Sequence, residues 1–355
     1  MSTATTTAPT APVGDGSLNL RGQTLGRPVL GAIAAGAVVL TLLLYLVTSI
    51  HSRIQFVLIA LILFGIGQTI ASVMVEGSRR ARDRLVTSAV FGSFLLALIP
   101  LLAIIISVVT RGAERLDGNF LTHSMRSINA REAGGGVYHA IIGTLEQVGL
   151  ASVMAVPFGL LVAIYLVEYG TGRISRVISF FVDVLTGLPS IIAGLFVLGF
   201  WILALGQSFS GFAGALALTI LMIPVVVRSA EEMLKLVPDE LREASYALGV
   251  ARWRTILKVV LPTALPGIVT GVMLAVARVA GETAPLLLTV FGANSINFNP
   301  FSGEQSALPL YIYSQAGQPQ QVAIDRAWAA ALTLIIIIML LNLLARLVAR
   351  RATIK

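Results

Sequence analysis

No cysteine occurs among the 355 residues. Its absence excludes disulfides, thiol nucleophiles and thiolate metal sites. Charge is scarce too: Asp, Glu, Lys and Arg make up 12% of the chain, against about 25% in a soluble domain. The only lysines, Lys235, Lys258 and Lys355, follow Leu234, Leu257 and Ile354. A P-loop needs lysine after glycine and before serine or threonine, so this chain does not hydrolyse ATP by that mechanism. His51, His123 and His139 stand at no metal-ligand spacing, and no serine, histidine and carboxylate motif suggests hydrolysis. No cofactor is expected on this chain.

Apolar sequence is what remains. The composition is 56% hydrophobic and the mean hydropathy is +0.89. Several apolar runs exceed the ~20 residues that carry a helix across ~30 Å of hydrocarbon. A membrane barrel would need short alternating strands, whereas these runs are continuous. The fold class is therefore all-α, a polytopic membrane protein. Eight transmembrane helices are predicted near 29–50, 54–75, 85–109, 140–168, 177–206, 212–227, 264–291 and 327–348. The Thr/Ala/Pro-rich start, 1–27, reads as a disordered cytoplasmic tail rather than a signal peptide, since no basic segment precedes an early apolar core.

Orientation follows from the basic residues. With the N-terminus inside, eighteen of the 25 Lys and Arg fall on the cytoplasmic side. They include Arg79, Arg80, Arg82 and Arg84 in one turn and six residues between Arg228 and Lys258. Six fall outside: Arg53, Arg111, Arg115, Arg126, Arg131 and Arg326. Arg278 is left in the membrane. Both termini are then cytoplasmic, and the +8 net charge needs no nucleic acid to explain it. Membrane lipid is the partner that composition demands.

The longest cytoplasmic segment, 228–262, reads "RSAEEMLKLVPDELREASYALGVARWRTILKVVLP". Pro238, Asp239 and Glu240 suit a helix start, and Gly249 a stop. A second short amphipathic helix is predicted from Ala251 to Val260. The pair either rests on lipid headgroups or docks in a partner's groove, with Ala244, Ser245, Ala247 and Gly249 keeping the surface narrow. "EASYALG", nine residues, then "VVLP" resembles the EAA loop of bacterial importer permeases. Glu243, Ala244, Gly249, Leu261 and Pro262 are in register; Ser245 and Val259 replace an alanine and an isoleucine. The resemblance implies that this loop couples to an ATPase subunit.

"IPVVVRSAEEMLKLVPDELREASYALG", "ARVAGETAPLLLT" and "DVLTGLPSIIAGLFV" resemble the PstA family, permease subunits of the bacterial phosphate ABC importer, over roughly 85–350. This implies a six-helix type I importer core over 85–350, preceded by an extra transmembrane hairpin, 28–84. It also implies a bacterial cytoplasmic-membrane location. The implied partners are a homologous second permease subunit, two ATP-binding subunits and an extracytoplasmic phosphate-binding protein. The alternatives are the paralogous phosphate permease, a permease for another oxyanion, or a proton-coupled secondary transporter.

Arg278 and Glu282 carry the sharpest expectation. Arg278 lies ~16 Å from Gly267 at 1.5 Å per residue, near the midplane, where a charge costs at least ~2.5–3.5 kcal/mol. The plain reading is an i,i+4 pair that neutralises itself. The functional one is a guanidinium fork for an oxyanion, beside a carboxylate that accepts the P–OH bond of phosphate. Arg228 either receives the ion at the exit or anchors the span. The resemblance implies transport roles at Arg228, Arg278 and Glu282. Asp183 reads as interfacial, before a break at Pro189; Glu146 and Gln147 as interhelix hydrogen-bonding groups; Gly134–Gly136 as a flexible turn.

Overall fold

The computed structural model describes residues 25–47 and 53–353. Most of the expected tail, 1–24, lies outside the described residues, as do His51 and Lys355. Among the described residues the chain is helical, and its one extended pairing is a single bridge between Phe291 and Gln305. Seven helices are long and apolar enough to cross a membrane, eight when a bent pair counts as one.

The chain divides into two compact units, with the boundary along the sequence after Ile104. The first holds α1 (Arg27–Val47), α2 (Arg53–Glu76) and most of α3 (Ser78–Arg115). The third helix starts seven residues before its expected boundary, because the arginine-rich stretch after Gly77 is good helix former and simply continues the span. Glu76, its side chain almost wholly enclosed, ties the α2–α3 corner together. It accepts from Leu25 N at 2.6 Å and Ser72 Oγ at 2.7 Å, and pairs with Arg84 at 2.6 Å. Ser88 donates to Gln68 Oε1 at 3.0 Å across the same two helices.

The second unit begins with the end of α3 and a short α4 (Gly118–Thr122), followed by α5 (Tyr138–Ile164), which runs on through a π-helical turn, Tyr165–Tyr169. Next come α6 (Arg173–Thr186) and α7 (Ser190–Val197, extended by a π-helical segment to Ala204). They are bent by 104° at Gly187–Pro189, the expected break after an amphipathic start. α8 (Gly211–Lys235) and α9 (Asp239–Ala247) follow. α10 (Arg252–Thr255) passes through a π-helical turn, Ile256–Val260, into α11 (Leu261–Ala280). The remaining helices are α12 (Ala284–Thr289), α13 (Leu308–Ala316) and α14 (Gln321–Thr353).

Two expectations are corrected here. The second helix of the 228–262 segment is not free-standing; it is the first turns of a span, Arg252–Ala280. Pro262 would collide with the Lys258 carbonyl in a regular α-helix, and the widened turn lets the helix pass it. The span drawn as 264–291 stops at Ala280 and resumes as α12.

Small residues set the packing of this unit. Ala151, Ala155, Ala275 and Ala280 interleave with Leu218, Met222 and Val279 in a core shared by α5, α8 and α11, as expected for close helix approach in lipid. At the end farthest from α9, Phe120, Met125, Val137, Leu308 and Tyr311 form a second core. Arg326, fully buried, donates there to the carbonyls of Ala130, Glu132 and Gly134 at 3.0–3.3 Å. The glycine run 134–136 is a packed turn rather than a flexible one. Gly135 has φ +79°, and a Cβ on Gly136 would lie 2.2 Å from the Phe120 carbonyl oxygen.

Candidate substrate path and coupling surface

Arg278 and Glu282 do not form the expected intrahelical pair. The helix ends between them: Gly281 N donates to the Arg278 carbonyl and Glu282 N to that of Val279, both at 3.2 Å. Gly281 weakens the helix, and Pro285 has no N–H to bond back to the Gly281 carbonyl. Among the described residues neither Arg278 nor Glu282 has an ion-pair partner. Glu282 is half-buried and Arg278 exposed on the surface of this chain.

Glycine contacts fix the depth of Arg278. A Cβ on Gly267 would meet Met233, and one on Gly271 would meet Ser229. Helices α8 and α11 are therefore antiparallel. Seven residues beyond Gly271, ~10 Å at 1.5 Å per residue, Arg278 faces the level of Met222, near the middle of α8. Thr263, Pro266, Thr270, Leu274, Arg278 and Gly281 lie along one face of α11 and its end, and all are exposed.

Arg228 is set apart from this site by that same ~10 Å. Three of its five N–H donors are occupied. One goes to Asp183 of α6, one to Glu231 at 2.6 Å and one to the Ser179 carbonyl at 3.3 Å. Lys235 holds the other oxygen of Glu231 at 2.7 Å.

The residues in register with the EAA loop, together with Ser245, divide by direction. Glu243 and Ala244 are exposed on α9, beside Leu241, Tyr246 and Leu248, the last 84% exposed. Ser245 faces inward; its hydroxyl lies 2.8 Å from that of Thr255, so it joins α9 to α10 rather than widening the surface. Gly249 has φ +74° with open space around it, so its glycine serves the backbone of the helix stop. Leu261 packs against the Ala230, Leu234 and Val260 core, and Pro262 is exposed as the second residue of α11.

Residues 155–354 match a family described as "Binding-protein-dependent transport system inner membrane component". The phosphate transport system permease protein PstA 1 of Mycobacterium tuberculosis (strain CDC 1551 / Oshkosh) is 53% identical over 276 residues, 78% of this chain and 91% of that one. The chain belongs to the PstA family. The PstA protein of Yersinia pestis is 39% identical over 76% of this chain and 90% of its own. A bacterial alginate ABC transporter, solved in complex with an alginate pentasaccharide-bound periplasmic protein, superposes with a TM-score of 0.51 at 16% identity. The superposition covers 77% of this chain and 96% of that one and supports the fold. This PstA chain is longer than its mycobacterial relative, since the same 276 residues are a smaller share of it.

The sequence left some functional groups of this PstA chain unnoticed. Glu168 is buried and pairs with Arg242. Gln305 receives a bond from Gln147 at 3.2 Å and donates to Glu146 at 2.7 Å. Glu146 and Gln147 thus hold the 290–307 loop, a hydrogen-bonding role as expected but to a loop rather than a helix. A carboxylate or amide isolated in apolar sequence is the signal for both sites; its partner lies far away in the chain.

Proposed function

We propose that this chain is one half of the translocation path of an ATP-driven phosphate importer, completed by a homologous second permease subunit across the exposed face of α11. One observation carries the proposal: among the described residues Arg278 has no ion-pair partner, stands at the level of the middle of α8, and lies on a face that no described residue covers. Lipid does not solvate such a charge, and the free carbonyls at the α11 break need protein or water. A second permease supplies both a wall and a watery seam. Arg278 then offers its fork to the anion, and Glu282, beyond the break, accepts a hydrogen bond from the P–OH that phosphate keeps near neutral pH.

The rest of the machine follows from the same frame. The α9 end is cytoplasmic, with both termini on that side. Glu243, Ala244 and Gly249, with Leu248, form the surface offered to one of two ATP-binding subunits. Ser245, Leu261 and Pro262 hold that surface on the span. The loop 290–307 faces an extracytoplasmic phosphate-binding protein. Arg228 is a clamp of α6 on α8, since it pairs with Asp183 and bonds the Ser179 carbonyl of α6 while holding Glu231 on its own helix. Residues 85–350 form the permease domain; the hairpin 28–84 is an addition to it.

The test is reconstitution. The purified complex in liposomes, with ATP inside and no ion gradient, imports phosphate when its binding protein is added. Import driven by a proton gradient without ATP overturns the proposal in favour of a secondary transporter.

A further inference from the structure

Glu168 lies in the π-helical turn that ends α5, with its side chain 4% exposed. Its Oε1 accepts two bonds from Arg242 of α9, from Nε at 3.2 Å and from a terminal nitrogen at 3.1 Å. The other donors of Arg242 are taken as well. They go to the Leu234 carbonyl at 2.9 Å, the Val237 carbonyl at 2.6 Å and the Asp239 carboxylate at 3.0 Å. One guanidinium therefore joins the end of α8, the first turn of α9 and the end of α5. Arg252 adds a second tie, donating to the Glu168 carbonyl and lying over the Tyr169 ring at 4.9 Å.

The opposite end of α5 is also fastened. Leu308 N donates to Thr144 Oγ1 at 2.7 Å, and Gln147 donates to the Ser306 carbonyl at 3.1 Å. A Cβ on Gly143 would sit 2.0 Å from that same carbonyl oxygen. Between the two ends α5 packs along α8, with Gly159 against Val226. One helix thus reaches from α9 to the loop that follows α12.

We infer that Arg242 and Glu168 are positioning residues that convert displacement of α9 into displacement of α5, and through α5 into the 290–307 loop. The inference rests on the reading of α9 as the ATPase-docking helix. The physical reason is that a forked, enclosed pair resists parting: removing Arg242 leaves the Glu168 carboxylate buried without an ion-pair partner among the described residues. A point-charge lysine cannot replace the fork. An exposed pair would slip; this one pulls.

The experiment uses the assembled importer in liposomes with binding protein and phosphate, reading ATP hydrolysed and phosphate imported together. Arg242→Lys keeps the charge and loses the fork. It is expected to hydrolyse ATP while importing roughly tenfold less phosphate per ATP, within the 5–150-fold range of site-to-site coupling. The cysteine-free background allows Glu168→Cys with Arg242→Cys. This pair is expected to be uncoupled as made and to recover when joined by a short bifunctional thiol reagent, a comparison within the same folded molecules. Native import per ATP in Arg242→Lys overturns the inference. So does a cysteine pair indifferent to joining, or failure of both variants to assemble, which would assign the pair to folding alone. Leu248→Cys, cross-linked to the ATPase subunit in otherwise native complex, separates the two readings. Its failure removes the docking role of α9; its success beside lost coupling leaves the latch as the cause.

Discussion

Gly271 of α11 lies so close to Ser229 of α8 that a Cβ on the glycine would sit 2.4 Å from the serine hydroxyl oxygen and 2.5 Å from its Cβ. This contact sets the register that brings Arg278 opposite the middle of α8. Gly271→Ala forces the two helices apart, and overpacking of this kind costs about 1–3 kcal/mol. The melting temperature of the purified complex is expected to fall. Ser229→Gly in the same chain returns the missing space and is expected to recover most of the loss. Losses that simply add would show that the two residues do not share the contact.

Arg278→Gln separates path from scaffold. The side chain is exposed and has no carboxylate partner among the described residues, so its loss orphans none of them. Stability is expected to stay within about 0.5 kcal/mol of native, the range of surface substitutions, while import is abolished. A large drop in melting temperature would mean that the guanidinium has a structural partner.

Gly249 tests the stop of α9. Its φ of +74° with no neighbour within 4 Å makes the constraint one of backbone rather than room. Asparagine tolerates that conformation, and β-branched residues do not. Gly249→Asn is expected to retain import, and Gly249→Val to lose most of it while inserting normally. Equal import by the two variants removes the conformational requirement.

Orientation is open to single cysteines. Leu248→Cys, on the exposed turn after α9, is expected to react with an impermeant thiol reagent only from the inside. Ser302→Cys, exposed in the 290–307 loop, reacts only from the outside. The opposite pattern reverses the topology and removes the ATPase from the α9 side.

Spans were legible because a run of some twenty apolar residues has one inexpensive conformation in a membrane. The break at Pro189 was legible for a local reason as well. What the sequence could not show depended on partners far along the chain. Arg228 read as either an exit group for the ion or an anchor of the span, and its partners Asp183 and Glu231 could not be seen. Arg326 counted as an outside charge, although three backbone carbonyls enclose it. Arg278 and Glu282 stood four apart and so invited a helical pair; only the glycine and proline around them, acting together, end the helix there. Ser245 read as a small surface residue because its partner, Thr255, belongs to the next helix.

Glu282→Gln tests the proton-reading role of the carboxylate beyond the break. The change keeps size and leaves Arg278 positive, so an anion is still drawn to the site. A carboxylate repels a fully ionised oxyanion and accepts a hydrogen bond from one that keeps a proton. Glutamine does not repel; its carbonyl still accepts, and its amide also donates to an unprotonated oxygen. A mismatched buried hydrogen bond is worth roughly 1–3 kcal/mol, about one to two decades in preference. Phosphate retains a proton near neutral pH and sulfate does not, so the variant is expected to lose its rejection of sulfate by that factor. The measurement is competition between the two ions in reconstituted complex, under conditions that bypass the selectivity of the binding protein. Normal phosphate import with undiminished rejection of sulfate would show that Glu282 reads no proton. Selection would then lie with Arg278 and the face supplied by the second permease.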